Sequence, residues 1–219
     1  MCGRFAIYSS VQAIIDYAKT INKIKSLQAN YNAAPGQIIP IVMLDQGEKI
    51  LEPVKWGLIP FWAKDPKIGY RMINTRAETI NDKPSFKAAF RHRRCLIPAN
   101  GFYEWKKPEK QPFFIHLTER EMFTFAGIWE EWHHPDGSSL RTCSIITTVP
   151  NRIMREIHDR MPVILTTENE ENWLQQNEPK ELLNLLAPYN SDDMEFYPIS
   201  KAVNSYQNNS AELLERINL

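Results

Sequence analysis

Four short stretches of this chain carry side chains whose types and spacing could do chemistry. The first is MCGRF, with Cys2 directly behind the initiator methionine. Methionine aminopeptidases accept a small second residue, so Met1 is expected to be removed, leaving an α-amine and a thiol on one residue. Their unperturbed pKa values, about 8 and about 8.5, keep both nucleophilic forms accessible near neutrality. Such a 1,2-aminothiol has two distinct uses. The thiol can attack a carbonyl with its own amine as base, as in N-terminal-nucleophile hydrolases. Alternatively the amine condenses with an aldehyde and the thiol closes onto the imine carbon, giving a five-membered thiazolidine that outlasts an open imine. A Cys2 that merely packs in the core is the structural alternative.

The second stretch, MINTRAET, holds Asn74, Arg76 and Glu78. An amide and a guanidinium two residues apart on an extended segment point to one face, where the first can orient a small polar group and the second hold a phosphate. In IPANGFYEW, Glu104 lies between Tyr103 and Trp105. A carboxyl in apolar surroundings has its pKa raised, which suits general acid–base work near neutrality; a paired structural glutamate would have the same neighbours. In IHDRMPVIL, His158 precedes an apolar run, with Asp159 and Arg160 adjacent. A loop histidine at a strand mouth serves as a proton shuttle or as a hydrogen-bonded fixture. His133, His134 and Asp136 sit at a Pro-Asp-Gly turn and read as solvated loop residues rather than a metal set. No metal and no cofactor are expected.

The elements that must position these residues follow from composition and pattern. With 219 residues, 43% hydrophobic and 24% charged, the chain has room for one sizeable core and reads as a single domain over 1–219. Acidic and basic residues balance at 26 each, so a nucleic-acid partner would have to use a local basic surface. No signal peptide and no apolar run of about 18 residues is present, so a cytoplasmic, membrane-free monomer is expected. Three cysteines, none in C-x-x-C spacing, argue against a disulfide framework. Cys95 and Cys143 read as small buried hydrophobes.

Along the chain, Val11, Ile14, Ile15, Ala18, Ile21 and Ile24 predict a one-sided helix capped by Ser9 or Ser10. IIPIVML, DQGE and ILEPVKWGL predict a hairpin. QPFFIHL, MFTFAGIWEEW, RTCSIITTV and MPVIL continue the strand pattern. Thr167 and Glu170 form a capping box ahead of a helix, PKELLNLLAP predicts a second helix, and EFYPIS a late strand. Helices and strands do not alternate, so the expected fold class is α+β, built on a mostly antiparallel, barrel-like sheet with peripheral helices. The stretch 60–84 has the weakest pattern, and long irregular segments are often functional.

Taken together, MCGRF, YNAAPG, WGLIPFWA, INTRAET, GFYEW, IHDRMPVIL and ISKAVN, in this order over nearly the whole chain, resemble the SRAP family. These SOS response-associated peptidase-like proteins include members that crosslink to abasic sites in single-stranded DNA. The resemblance implies that Cys2, as the new N-terminus, forms a thiazolidine with the ring-opened sugar aldehyde of an abasic site in the DNA damage response. It implies further that Asn74 positions the sugar or the cysteine, that Glu104 handles protons in ring opening and imine formation, and that His158 serves imine chemistry and reversal. Arg4 and Arg76 would hold flanking phosphates, with Arg160 in the same DNA-binding set. Asn100 stands where the family pattern leads one to expect aspartate.

The residues themselves agree on DNA. Trp56, Phe61, Trp62 and Tyr70 lie among Lys55, Lys64, Lys67 and Arg71, and aromatics interleaved with cations suit single strands, whose bases stack while phosphates pair. The run RHRR at 91–94 would extend that surface or form a solvated charged face. The rival reading is a cysteine-nucleophile amidohydrolase or autopeptidase, which needs an oxyanion hole and no DNA.

Overall fold

The structure, a computed structural model, describes residues 2–24 and 26–219. In chain order its elements are β1 (Phe5–Ile7), α1 (Val11–Ala18), β2 (Ile21–Asn22), β3 (Asn30–Ala33), β4 (Ile38–Asp45), β5 (Glu48–Trp56) and β6 (Asn74–Arg76). There follow α2 (Pro84–His92), β7 (Arg94–Ala99), β8 (Gly101–Lys106), β9 (Gln111–Leu117), β10 (Phe123–His133) and β11 (Ser139–Thr148). The last are β12 (Met161–Pro162), β13 (Ile164–Leu165), α3 (Thr167–Gln175), α4 (Pro179–Asn184) and β14 (Met194–Pro198).

Five of these strands close on themselves. The order β5-β4-β7-β10-β11 is antiparallel throughout, and β11 returns to β5 in parallel register, Thr142 opposite Lys55 and Cys143 opposite Trp56. Closure removes the exposed edges that an open sheet of such apolar strands would present. The expected barrel-like, mostly antiparallel α+β architecture is therefore present. A second, antiparallel sheet runs β14-β9-β8-β1-β3. The barrel is filled by side chains such as Trp56, Cys95, Ile97, Cys143 and Ile145, all fully buried, so it is a packed core rather than a channel. The β4–β5 hairpin turns through Gln46 (φ 50°) and Gly47 (φ 86°), the left-handed pair that a two-residue turn between twisted strands requires.

Three local expectations are corrected. α1 is capped by Ser10, whose side chain accepts from the Ala13 N–H at 3.1 Å, but it stops at Ala18 with Lys19 left-handed. Thr20 instead donates to the Lys49 carbonyl at 2.7 Å, and Ile21–Asn22 pair in parallel with β5; tertiary pairing outweighs the helical spacing of Ile21 and Ile24. At α3 the cap residue is Thr166, without a side-chain cap bond. Glu170 turns inward and accepts from the Tyr17 and Thr124 hydroxyls, both at 2.7 Å, so the capping box does not form. The stretch 60–84 is not structureless: it contains the 3-10 helix Pro66–Arg71, β6 and a second 3-10 turn, Ala77–Thr79.

The RHRR run is not a wholly solvated face. Arg93 pairs with Glu130 at 2.7 Å. Arg94 is buried and donates to the Phe90 and Arg91 carbonyls at the end of α2 and to those of Trp173, Leu174 and Gln176 at the end of α3. A cation there satisfies the orphan carbonyls and the negative end of both helix dipoles. Arg94→Leu is expected to destabilise the protein by about 3 kcal/mol or more, because several buried carbonyls lose charge-assisted donors at once. A loss of unfolding free energy under about 1 kcal/mol in urea denaturation would show that water replaces the guanidinium.

Candidate active site

The two sheets meet at the start of the chain. β1 pairs with β8, Phe5 opposite Phe102, and the Tyr103 N–H donates to the Arg4 carbonyl at 3.0 Å. Cys2 is thereby laid beside the part of β8 that carries Glu104. Alternation along β8 puts Glu104 on the face opposite Tyr103 and Trp105. From the barrel side, β6 pairs in parallel with β11, Asn74 opposite Ile145. The Asn74 side chain then reaches across, its Nδ2 donating to the Cys2 carbonyl at 2.8 Å. His158 follows the 3-10 turn Met154–Glu156, its N–H donating to the Met154 carbonyl at 2.8 Å.

Cys2 and Glu104 are essentially inaccessible, at 0% and 2% exposure. Burial raises the Cys2 thiol, and the nearby Glu104 carboxylate raises it further. Burial likewise raises Glu104, partly offset by the charge of His158. The Glu104 carboxyl thus lies within electrostatic reach of both the Cys2 thiol and the His158 imidazole. The Oδ1 of Asn74 is buried with no hydrogen-bond partner among the described residues, an acceptor left for an incoming donor. On His158, Nδ1 faces two partners: the Arg160 N–H at 3.1 Å and the Asp159 carboxylate at 2.8 Å. The first needs that nitrogen bare and the second needs it to carry a proton, so Nδ1 has a partner in either form.

The raised carboxyl has a stability consequence. A group whose folded pKa lies above its unfolded value of about 4.3 stabilises fully below that value and loses the contribution as pH rises through the folded pKa. Glu104→Gln, which mimics the protonated acid, should therefore raise the melting temperature relative to wild type at pH 8, with the gap closing as pH falls toward 4. An equal or lower melting temperature at pH 8 would mean the carboxylate is better compensated than its burial implies.

Cys2, Asn74, Glu104 and His158 thus come together. The residues read from sequence as DNA contacts divide. Phe61, Trp62 and Tyr70 are 58%, 49% and 64% exposed, and Trp62 lines an open cavity together with Lys64, Lys67 and Arg71. Their loop is pinned from beneath: the Trp132 indole N–H donates to the Ala63 carbonyl at 2.7 Å, and Gly57 and Gly69 cross so closely that a Cβ on either would meet the other's carbonyl below 3 Å. The Arg76 side chain is exposed and makes no hydrogen bond or ion pair among the described residues. Trp56 is a correction. It is fully buried, donates to the Ile73 carbonyl at 2.9 Å and packs edge-on against Phe5, so no base can stack on it.

Arg4 and Arg160 also differ from a simple phosphate ligand. Arg4 Nη1 donates to Asn32 Oδ1 at 2.7 Å and to the Val203 carbonyl at 2.9 Å. Asn32, buried on β3, donates in turn to the carbonyls of Ser205 and Asn208. The YNAAPG and ISKAVN motifs therefore clamp the guanidinium that follows Cys2. Arg160 is bound by Glu78. Asn32 lay inside a quoted motif but had no chemical signature of its own. Asn100 accepts from the Tyr8 and Ser9 N–H groups and donates to Ser9 Oγ and the Glu121 carbonyl. An aspartate could not make the last bond, and the amide pins the exit of β1. Met1, whose removal the sequence leads one to expect, lies outside the described residues.

A family model described as SOS response associated peptidase (SRAP) matches residues 1–206. The chain is 49% identical over 222 residues to the abasic site processing protein YoqW of Bacillus subtilis strain 168, covering 98% of this chain and 99% of that protein. It is 34% identical over 228 residues to the abasic site processing protein HMCES of Rattus norvegicus, covering 84% of this chain and 64% of that one. Its fold matches a crystal structure of a protein from Bacteroides thetaiotaomicron with a TM-score of 0.91 at 28% identity, over 99% of this chain and all of the other.

Proposed function

The chain belongs to the SRAP family, and from that premise we propose that it senses abasic sites in DNA and captures them covalently through Cys2. The proposed substrate is the ring-opened deoxyribose aldehyde in a single strand. The observation that carries this reading is the Asn74–Cys2 bond of 2.8 Å, beside a Glu104 whose burial keeps it a proton donor to higher pH.

Once Met1 is gone, the neutral α-amine adds to C1′ of the aldehyde to give a carbinolamine. Glu104, as the acid, hands a proton to the departing hydroxyl, and water leaves to form the iminium. Cys2 Sγ then adds to C1′, the C=N electron pair returns to nitrogen to leave a neutral ring N–H, and the thiol proton passes to the Glu104 carboxylate, restoring the acid. The product ring is S–C1′–N–Cα–Cβ, formed with net loss of one water. A thiol kept protonated by burial suits this order, since the amine must act first. Asn74 fixes the Cys2 carbonyl, so that amine and thiol face the same carbon. His158 holds or delivers the proton when the ring reopens.

The test is a denaturing gel after incubation with an abasic single-stranded oligonucleotide. A heat-stable shifted band supports the reading; hydrolysis of a small amide with no shift would favour the amidohydrolase alternative. Exposed Arg76 and Trp62 supply the noncovalent grip. Arg76→Ala should lower the slope of log affinity against log salt by about 0.7 for a single strand. Trp62→Ala should weaken binding by about 1–3 kcal/mol with no change in slope. An unchanged slope in the first or unchanged affinity in the second would remove that residue from the DNA path.

A further inference from the structure

β6 is three residues long, yet it carries both Asn74 and Arg76, and its only sheet partner among the described residues is β11. A strand this short needs something to fix its far end. That end runs into the 3-10 turn Ala77–Thr79, where the Glu78 carboxylate receives both terminal nitrogens of Arg160, Nη2 at 2.9 Å from Oε2 and Nη1 on Oε1. The same Nη2 donates to the Thr147 carbonyl at 2.7 Å, and Thr147 is the β11 residue in register with Arg76. Arg160 is only 12% exposed in its side chain, and its backbone N–H is the donor to His158 Nδ1. One guanidinium therefore joins the end of β6, the edge of the barrel and the loop of His158. The Arg160 hydrogen bond, helped by the charges of Arg160 and Arg76, holds the Glu78 carboxyl below its usual range, so the pair stays ionised near neutrality.

We propose that Glu78 is a positioning residue: acting through Arg160, it sets the spacing between Asn74 on β6 and His158 on its loop, so that the Cys2 site is assembled before DNA arrives. The bidentate fork gives both distance and angle, which a single point contact would not. It also cancels the Arg160 charge and leaves Arg76 as the exposed cation. Arg160 thus acts as a strut between the two segments. This rests on the reading of Cys2 as the reacting residue.

Two consequences run in opposite directions, which separates the role from simple damage to the fold. Removing the carboxylate loosens the geometry and also unmasks a positive charge. The experiment follows single-turnover crosslinking by the full chain against abasic single-stranded DNA, across DNA concentration, with melting temperatures on the same preparations. For Glu78→Ala the rate at saturating DNA should fall about 10-fold, within the up to 10²-fold cost of a 1 Å misplacement. The half-saturating DNA concentration should stay the same or drop, and Glu78→Asp should recover part of the rate. A wild-type saturating rate in Glu78→Ala overturns the proposal, and so does a rate loss accompanied by a raised half-saturating concentration. If Glu78→Ala melts below the assay temperature, Glu78→Gln is read by the same criteria. A wild-type protein that forms no crosslink would instead sink the reading of Cys2, leaving the two failures distinct.

Discussion

Cys2→Ala is expected to abolish the heat-stable DNA adduct while leaving noncovalent binding of single strands largely unchanged. The effect is all-or-none because the thiol is one of the two ring-forming groups. Alanine is small enough for Met1 still to be removed, so the variant keeps an α-amine at the Cys2 position. It should form an imine that reverses on heating and becomes permanent only with borohydride. Cys2→Ser sharpens the comparison. Its hydroxyl can close onto the imine carbon, but the oxygen ring reopens more readily, so this adduct too should depend on borohydride. Burial at 0% exposure and the 2.8 Å bond from Asn74 hold the residue in place in all three forms, so differences should reflect chemistry rather than folding. A serine adduct as heat-stable as the cysteine one would argue against thiol ring closure.

Glu104→Gln is expected to slow crosslink formation by about 10²-fold, the usual scale for losing a general acid–base group. It should leave affinity for undamaged strands unchanged, since Glu104 is too buried to meet a phosphate. The pH profile carries the sign. The amine must be neutral, so the wild-type rate rises with pH at first. The acid is lost as pH rises through the Glu104 pKa, which burial has moved upward, so the rate then falls. In Glu104→Gln the alkaline fall should vanish, because glutamine has no proton to lose. A single-turnover pH series giving wild-type rates throughout would show that Glu104 is structural, and the gain in melting temperature at pH 8 would then be its only effect.

How much of this was legible in the sequence differs by residue. The barrel was legible because its strands are runs such as IIPIVML and MFTFAGIWEEW, separated by Gly- and Pro-containing turns. Closure was not, since the β5–β11 pairing is parallel and joins segments about ninety residues apart. Cys2, Asn74, Glu104 and His158 could be singled out because each residue type is chemically unusual in its local setting. That they share one point depends on β1, β6 and β8 crossing, which no local pattern encodes. Trp56 was misread for the converse reason. An aromatic next to a lysine looks like a stacking platform, but in a strand of alternating faces the lysine points out and the indole points in. Arg94 looks like surface charge in the sequence and acts as an internal strut, because carbonyls that hold it come from a distant segment; the carboxylate that binds Arg160 is equally remote in the chain.

The most direct measurement is intact mass and peptide mapping of the protein after reaction with an abasic single-stranded oligonucleotide. The predicted product is the chain lacking Met1, joined to one oligonucleotide with loss of one water, the modification on the peptide that begins at Cys2 and the mass unchanged by borohydride because no imine remains. An adduct on a lysine, an adduct on a chain that retains Met1, or a Cys2 peptide that gains two hydrogens on borohydride treatment would contradict capture through the N-terminal aminothiol.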